Sequence, residues 1–274
     1  MTNYDENSTD VVKRTVPVEK VDCIKYTCVQ ITRKYLWRFI PMIANEIIRK
    51  RKSIRKYETA PLDDATLEVV REQITKLKPL YPDIRYSIDI VSKTKGLFNI
   101  KAPHYLVFRS EEKDGVYENI GFIGQQLDLF LSGSGFGTCW LGVSKPVEKD
   151  DSADSSIICM SFGKPVGSLY RTVDEFKRKP LSEISEGTDE RLEAAQLAPS
   201  AMNAQNWYFV AVDGKIHCYR KKSNPLLSFI YEKMHCIDMG IALCHIAEES
   251  DNFCFAKIEN IPERKGYVYM GTVG

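Results

Sequence analysis

The sequence predicts an α+β fold made of two tandem units, each a mainly antiparallel sheet flanked by helices. Two observations support this prediction. Helical and strand patterns alternate from about residue 42 onward, and the second half repeats much of the order of the first. The chain has 274 residues, of which 43% are hydrophobic. It can therefore bury a substantial core as one large domain or as two halves of ordinary size.

Charge and cysteine content exclude several classes of protein. The formal net charge is +1, so no global field attracts nucleic acid or membrane, and recognition must come from local clusters. The eight cysteines form no CxxC pair and follow no secretory signal, which favours reduced cytoplasmic thiols and argues against a metal site. The apolar stretch 35–48 is too short and too polar to span a bilayer. We therefore expect a cytoplasmic protein without membrane or nucleic-acid partners.

The first half carries helix and strand signals in turn. A helix is predicted to begin at Asp63 or Asp64, because either side chain can cap the apolar stripe that follows. Alternation predicts a strand over 86–91, and a continuous apolar run predicts a buried strand over 104–108. The longest helical pattern begins near Tyr117 and ends in the glycine-rich run 132–137.

The later elements follow the same logic. Apolar runs bounded by glycine and proline predict two more strands after this helix, and helical and strand patterns then recur. These elements are strands 138–143 and 156–162, helix 191–197, strand 207–212, helix 237–246 and a strand near 253–258.

An ungapped alignment of Gly121 with Gly240 suggests that one α+β unit was duplicated. The alignment matches apolar positions in the following helices and loops, and strand 104–107 then matches strand 207–210 if the second unit has a longer loop. The matched pairs are Phe122 with Ile241, Leu127 with Ile246, and Phe136 with Phe255. We expect three segments: a poorly ordered N-terminal extension (1–41), a first unit (42–184) and a second unit (185–274).

A basic run at 49–56, in which six of eight residues are Lys or Arg, ends the first helix near Ser53. Three interpretations remain open: a solvated helix end, a nucleic-acid patch, or a phosphate cradle. In the last, Arg51, Ser53 and Arg55 leave the helix in extended form, so their side chains point the same way. Taken alone, the run favours the solvated helix end.

The segment Leu197–Trp207 contains a Pro-Ser turn with Asn203 and Gln205 two residues apart, followed by a tryptophan that opens a strand. We call residues 199–205 the Pro-Ser loop. Its amide groups could read the edge of a flat heterocycle, although a capped turn between helix and strand explains the pattern equally well.

Together, these two segments resemble the FMN-dependent nitroreductase family, and in particular its fused two-unit subgroup of putative TM nitroreductases. The family carries an Arg-Arg-Ser-Ile-Arg-like start and a Pro-Ser-x-x-Asn-x-Gln-Pro-Trp segment. Here these read Arg51-Lys52-Ser53-Ile54-Arg55 and Pro199 to Trp207, with Asn206 in place of the usual proline. Gly135–Gly142 resembles the stretch beside the flavin N5 edge, and Lys177–Leu181 resembles the late basic segment at the phosphate.

The resemblance implies one FMN held between two nitroreductase-like units packed as an intramolecular pseudo-dimer, and hence a monomer. The first half has the cradle but Gly96–Ala102 where a Pro-Ser loop is expected. The second half has the Pro-Ser loop but Pro180–Glu186 where a cradle is expected. The implied cofactor-binding residues are Arg51, Lys52, Ser53, Arg55, Trp140, Leu141, Gly142, Lys177, Arg178, Pro199, Ser200, Ala201, Asn203 and Gln205.

The family's chemistry implies that NADH or NADPH reduces FMN by hydride transfer and that a small-molecule electron acceptor, such as a nitroaromatic or a quinone, then reoxidises it. No side chain is required as acid or base, so no catalytic residue is predicted. Trp140 fits the core as readily as a flavin contact. Two alternatives are a flavin-binding sensor or carrier without turnover, and a nucleic-acid-binding module that uses residues 49–56.

Overall fold

A computed structural model of the protein describes residues 12–13, 44–96, 100–147, 154–223 and 228–274. The predicted extension 1–41 lies outside these residues, except for the two-residue strand Val12–Lys13. Within the described part, none of the helices is long and apolar enough to cross a membrane.

The first half forms one five-stranded antiparallel sheet with the strand order β1-β2-β4-β7-β5, and β3 pairs with β6 beside it. Helix α2 begins as predicted, because the Asp63 carboxylate accepts a hydrogen bond from the Thr66 N–H at 2.7 Å. The elements are β1 (Val12–Lys13), α1 (Ala44–Ile48), α2 (Asp64–Ile74), β2 (Tyr86–Val91), β3 (Thr94–Gly96), β4 (His104–Ser110), α3 (Val116–Gly133), β5 (Gly137–Leu141), β6 (Ser144–Pro146) and β7 (Ser155–Gly163).

The second half forms a second five-stranded sheet with the order β8-β9-β10-β12-β11. Its pairs are antiparallel, except that β8 lies parallel to β9. The elements are α4 (Leu181–Ile184), β8 (Ser185–Glu186), α5 (Arg191–Leu197), β9 (Trp207–Val212), β10 (Lys215–Lys221), α6 (Ser228–Glu248), β11 (Phe255–Ala256) and β12 (Tyr267–Val273).

The two sheets share one topology. Each unit runs helix, strand, strand, long helix, strand, strand, and the strand order β2-β4-β7-β5 matches β9-β10-β12-β11. The alignment of strand 104–107 with strand 207–210 is therefore wrong. Strand β9 directly follows a helix and corresponds to β2, whereas β4 corresponds to β10.

Helices α3 and α6 cross at the centre of the molecule through two glycines. A Cβ on Gly121 would lie 2.1 Å from the carbonyl oxygen of Ile237, and a Cβ on Gly240 would lie 2.0 Å from the carbonyl oxygen of Glu118. Each glycine thus faces the backbone three residues before the other, as a local twofold axis requires. The two positions aligned from the sequence are therefore partners across a pseudo-symmetric interface.

The same pseudo-symmetry extends to the side chains two residues before each glycine. The Asn119 side-chain oxygen accepts a hydrogen bond from the Tyr81 N–H at 3.0 Å, and the Asp238 carboxyl accepts one from the Ala201 N–H at 2.9 Å. Tyr81 therefore corresponds to Ala201. The first-half counterpart of the Pro-Ser loop is residues 79–85, which we call the Pro79 loop, and its assignment to 96–102 is wrong because that segment follows β2 and β3.

A buried polar network crosses the same interface. The Gln125 amide donates to the Asp128 carboxylate at 2.8 Å and lies 3.0 Å from His245 Nε2 on α6. His245 Nδ1 donates to the carbonyl oxygen of Ala194 at 2.9 Å, so Nε2 is the unprotonated nitrogen that accepts from Gln125. Burial, together with nearby arginine charges, lowers the pKa of His245 to about 3. The imidazole is therefore neutral in the fold.

Replacing either crossing glycine should separate the two helices. Gly121→Ala or Gly240→Ala places a methyl group inside a backbone contact that no rotamer can relieve, so we expect a loss of about 3 kcal/mol in the free energy of unfolding, measured by urea titration. Gly167→Ala is the matched control. Its Cβ meets nothing within 4 Å, and only its φ of 88° is strained, for about 1–2 kcal/mol. Equal losses in all three variants would contradict the crossing.

His245 should make stability depend on pH. Its pKa is about 3 in the folded protein, compared with an ordinary value of 6.5. Between pH 3 and pH 6.5 the unfolded chain therefore binds more protons than the folded chain, and the free energy of unfolding rises with pH. The slope from this group is up to about 1.4 kcal/mol per pH unit. His245→Gln cannot titrate and has a precedent in Gln126, the pseudo-symmetric residue, which donates to the Lys78 carbonyl oxygen at 2.7 Å. Urea titrations between pH 4 and 6 should give this variant a shallower slope than the natural chain, and parallel slopes would contradict the assignment.

Candidate functional site

The basic run leaves α1 as extended chain and inserts beside β5. Ser53 forms a parallel bridge with Thr138, and Arg51 forms an antiparallel bridge with Tyr170. The Ile54 N–H donates to the Thr138 carbonyl oxygen at 2.8 Å, and its side chain packs where a Cβ on Gly137 would lie. Helix α1 therefore ends at Ile48, and the prediction that it ends near Ser53 is wrong, because the chain is already extended at the residues of the predicted cradle.

Arg51, unlike the other cations of the run, is buried in the protein. Its side chain is 1% exposed, and its Nε lies 2.9 Å from Asp128 Oδ2, on a carboxylate that also accepts a hydrogen bond from Thr138. Its Nη2 has no hydrogen-bond partner among the described residues. Ser53 is half-buried and forms a hydrogen bond with the Cys139 thiol. Arg55 is exposed, and its positive charge lowers the pKa of that thiol more than any other nearby charge does.

Two more arginines join Arg51, and we call Arg51, Arg171 and Arg178 the arginine cluster. Arg171 Nε donates to the Arg51 carbonyl oxygen at 3.0 Å. The Arg171 and Arg178 guanidinium groups lie 3.5 Å and 5.5 Å from the centre of the Phe176 ring. Burial and the neighbouring Arg51 lower the pKa of Arg171 to about 10, and burial, Arg171 and Arg51 lower that of Arg178 to about 9. The three cations therefore repel one another in a partly desolvated space.

The Pro-Ser loop has an unusual backbone. Met202, Asn203 and Gln205 have φ angles of 52°, 57° and 50°, a left-handed region that costs non-glycine residues about 1–3 kcal/mol each. Inside the loop, the Gln205 N–H donates to Ser200 Oγ at 3.0 Å, and the Ala201 N–H donates to Asp238 on α6. The surrounding contacts therefore hold a conformation that the chain would not choose by itself.

The amides of the loop clamp the late basic segment. Asn203 accepts a hydrogen bond from Arg178 and donates to the Lys177 carbonyl oxygen at 2.6 Å. Gln205 Oε1 accepts from the Lys179 N–H at 2.9 Å. These contacts bring the second-half loop against the first-half arginine cluster. They also engage both amides with protein, where the sequence suggested that they read a ligand.

The residues at and just after the end of β5 differ in burial. Trp140 stacks on Phe108 at 5.6 Å and donates from Nε1 to Gln125 Oε1 at 3.3 Å, and Leu141 is buried. Gly142 is exposed, and a Cβ there would lie 3.2 Å from Met234 Cε on α6. Since Met234 lies one turn before the residue that holds the Ala201 N–H, Gly142 and the Pro-Ser loop flank the same turn of α6.

Within the described residues, neither the Cys139 thiol nor a cluster of metal-binding side chains provides a second site. Burial raises the pKa of the Cys139 thiol despite Arg55 and Arg51 nearby. In the described ranges, no three His, Cys, Asp or Glu side chains are placed to hold a metal ion.

Several site residues were not predicted from the sequence. Arg171 stands alone after Tyr170, and Asp128 lies inside an apolar helix, so neither belongs to a motif. Asp238 also lies on a mostly buried helix. The one available signal was that a carboxylate on a buried helix face requires a partner.

Comparison with known proteins gives a family. The family model described as "Putative TM nitroreductase" matches residues 44–250. A search of curated proteins finds no match.

Several solved structures are similar to this chain. A protein described as a putative nitroreductase from Thermotoga maritima is 22% identical, with a TM-score of 0.59 over 88% of this chain and 97% of that chain. An FMN-dependent nitroreductase from Clostridium difficile is 17% identical, with a TM-score of 0.38 over 50% of this chain and 95% of its own. A putative NADH dehydrogenase/NAD(P)H nitroreductase from Bacteroides thetaiotaomicron is 15% identical, with a TM-score of 0.39 over 49% and 92%.

The likeness to the Thermotoga protein confirms the predicted nitroreductase-like α+β fold. Because the family model spans well over half of the sequence, this chain belongs to the nitroreductase family described as "Putative TM nitroreductase".

Proposed function

We propose that the protein is an FMN-dependent oxidoreductase with one FMN per chain, bound between the arginine cluster and the Pro-Ser loop. The observation that carries this proposal is the imbalance of charge: three guanidinium groups repel one another, and the buried Asp128 carboxylate pairs with Arg51. Arg51 Nη2 and Arg178 Nε have no hydrogen-bond partner in the described part of the chain. A phosphate dianion would relieve the repulsion and accept charge-assisted hydrogen bonds. The residues present therefore fit the phosphate end of FMN.

The residues proposed to bind the phosphate differ in exposure, and they therefore differ in role. Arg171 and Arg178 are half-buried and can contact the phosphate, whereas Arg51, held by Asp128, adds charge and fixes Arg171 through its carbonyl oxygen. Ser53 bridges Thr138 near the start of β5, two residues after Arg51. The half-buried Lys52 and the exposed Arg55 and Lys177 would add to the local field.

At the ring end, the Pro-Ser loop and Gly142 would line the flavin. Pro199, Ser200 and Ala201 present small side chains and backbone, and Asn203 and Gln205 keep the loop in shape through the late basic segment. Trp140 and Leu141 support β5 from behind. Bound FMN would accept a hydride from NADH or NADPH and pass electrons to a nitroaromatic or quinone acceptor. The protein's part is to orient these molecules and to exclude water, without an acid or base side chain.

A single site per chain follows from how the halves differ. The residue equivalent to Ala201 is Tyr81, whose ring lies against Gly115 and 6.3 Å from Phe255, so a bulky aromatic side chain stands where a flat ring would need space. Residues 180–186, where a second cradle was expected, contain α4 and β8. Glu186 in this segment pairs with Arg264 at 3.0 Å, and its negative charge would repel a phosphate. We therefore propose two units, 42–184 and 185–274, that act as a pseudo-dimer within a cytoplasmic monomer.

Flavin content and phosphate selectivity test the site. Purified protein should carry about one FMN per chain, and Arg171→Ala or Arg178→Ala should weaken FMN binding about 10- to 100-fold, because each removes a charge-assisted hydrogen bond of roughly 1.5–3 kcal/mol. Riboflavin, which lacks the phosphate, should bind the natural chain and Arg171→Ala alike, whereas Arg178→Ala also removes the hydrogen bond to Asn203 of the loop. Arg71→Ala, at a half-buried arginine on α2 that pairs with Glu68 at 3.2 Å, is the matched control. Two FMN per chain, or an equal loss for riboflavin in Arg171→Ala, would contradict the proposed site.

Flavin reduction tests turnover. Stopped-flow mixing of the FMN-loaded protein with NADH or NADPH should bleach the flavin absorbance, and a quinone or nitroaromatic should restore it. Because the two steps share one pocket, the steady-state kinetics should be ping-pong. Bound flavin that neither nicotinamide reduces would instead favour a sensor or carrier.

A further inference from the structure

Asp238 is a buried carboxyl group that the proposed chemistry does not use. It lies on α6, is 4% exposed, and accepts the Ala201 N–H through Oδ1 at 2.9 Å. Its second oxygen, Oδ2, is buried without a hydrogen-bond partner among the described residues. Because Oδ2 has no exposed surface, it acts from behind the Pro-Ser loop and does not face a bound ring directly.

The pseudo-symmetric residue shows that the hydrogen bond does not need an acid. Asn119 accepts the Tyr81 N–H through its amide oxygen at 3.0 Å, and its Nδ2 is likewise buried and without a partner in the described structure. The same position in both units thus accepts an N–H near the start of a loop. It is a neutral amide in the first unit and a titratable acid in the second. The acid is found under the strained loop.

Burial governs the charge of Asp238. It raises the pKa of the carboxyl to about 7, opposed only by the Ala201 N–H. The ionisable groups on the elements packed around this part of α6 are engaged elsewhere. They are Glu118 on α3 with Cys236, Arg220 on β10 with Glu232, His235 on α6 with Asn206 and Ser223, Arg178 with Asn203 and Leu197, Arg191 on α5 with Asp189, and Arg49 after α1 with Glu249.

We propose that Asp238 is a positioning residue whose protonation closes the Pro-Ser loop, so that the seat of the flavin ring is linked to a proton. The neutral acid accepts the Ala201 N–H as Asn119 accepts that of Tyr81. The ionised acid is an uncompensated buried charge, which is relieved when the loop opens and water reaches Oδ2. The role in flavin binding rests on the proposed function, whereas the proton-linked opening of the loop does not.

The direction of the effect follows from linkage. An aspartate exposed to water titrates near 4, while the closed loop holds Asp238 at about 7, so the closed loop binds the extra proton. Closure is therefore favoured at low pH, and the open-to-closed ratio should rise about tenfold between pH 6 and pH 8. Because the loop must be closed to line the ring, FMN affinity should fall in the same interval.

Hydrogen exchange of the full-length chain without added flavin tests the opening. After correction for intrinsic rates, protection of the amides at 201–203 should fall about tenfold from pH 6 to pH 8 in the natural chain. In Asp238→Asn, which copies Asn119 and cannot ionise, it should stay constant. Asn119→Asp is the matched control and should transfer the pH dependence to the Tyr81 amide while leaving Ala201 as it was. Should this control fail to fold, the comparison of the natural chain with Asp238→Asn still decides.

FMN titration then tests the link to binding. The ratio of FMN dissociation constants at pH 8 and pH 6 should be severalfold larger for the natural chain than for Asp238→Asn, a comparison that cancels titration of the FMN phosphate itself. Equal protection and equal ratios in the two proteins would overturn the inference even if FMN binds. If protection behaves as expected but no flavin binds at any pH, the proposed function fails and the proton-linked loop stands.

Discussion

The whole architecture depends on the contact between the backbones of α3 and α6. Two helices can approach so closely only where neither carries a side chain, and Gly121 and Gly240 meet this requirement from both sides. Apolar residues fill the rest of the interface, including Ile120, Phe122, Ile241 and Ile246, all at most 2% exposed. This interface fixes how the two halves meet, and the candidate site is assembled from both.

Comparing pseudo-symmetric positions shows how the two halves differ in chemistry around the candidate site. At equivalent positions the two halves keep a hydrogen bond to backbone but change the chemistry: Asn119 against Asp238, Gln126 against His245, and Tyr81 against Ala201. In each pair the structural task is preserved, so the substitution can be interpreted separately from folding. The changes in the second half lie beside the arginine cluster and the Pro-Ser loop, while Tyr81 fills the corresponding space in the first.

Local patterns in the sequence predicted much of the fold, because capping, alternation and apolar runs act over a few residues. The Asp63 cap was recognisable in this way as one of two candidates, whereas the internal repeat aligned Gly121 with Gly240 without predicting that the helices cross there. The match of β9 with β2 was not recognisable, since it depends on which strand follows which helix. Likewise, the basic run suggested three parallel side chains, but the structure ties Arg51 to Asp128, a partner far along the chain that no local pattern reveals.

The distribution of unfavourable features separates folding from function. The Pro-Ser loop has three non-glycine residues with left-handed φ angles, whereas the equivalent Pro79 loop, described in full, has none. Both loops join a helix to the first strand of the same sheet topology, so the connection does not require the strain. The unpartnered guanidinium nitrogens of Arg51 and Arg178 lie on the same side of the molecule as the strained loop. Strain and unbalanced charge thus occur together beside the Pro-Ser loop, and the strain is absent from the equivalent Pro79 loop, which is the pattern expected when function, and not the connection itself, requires it.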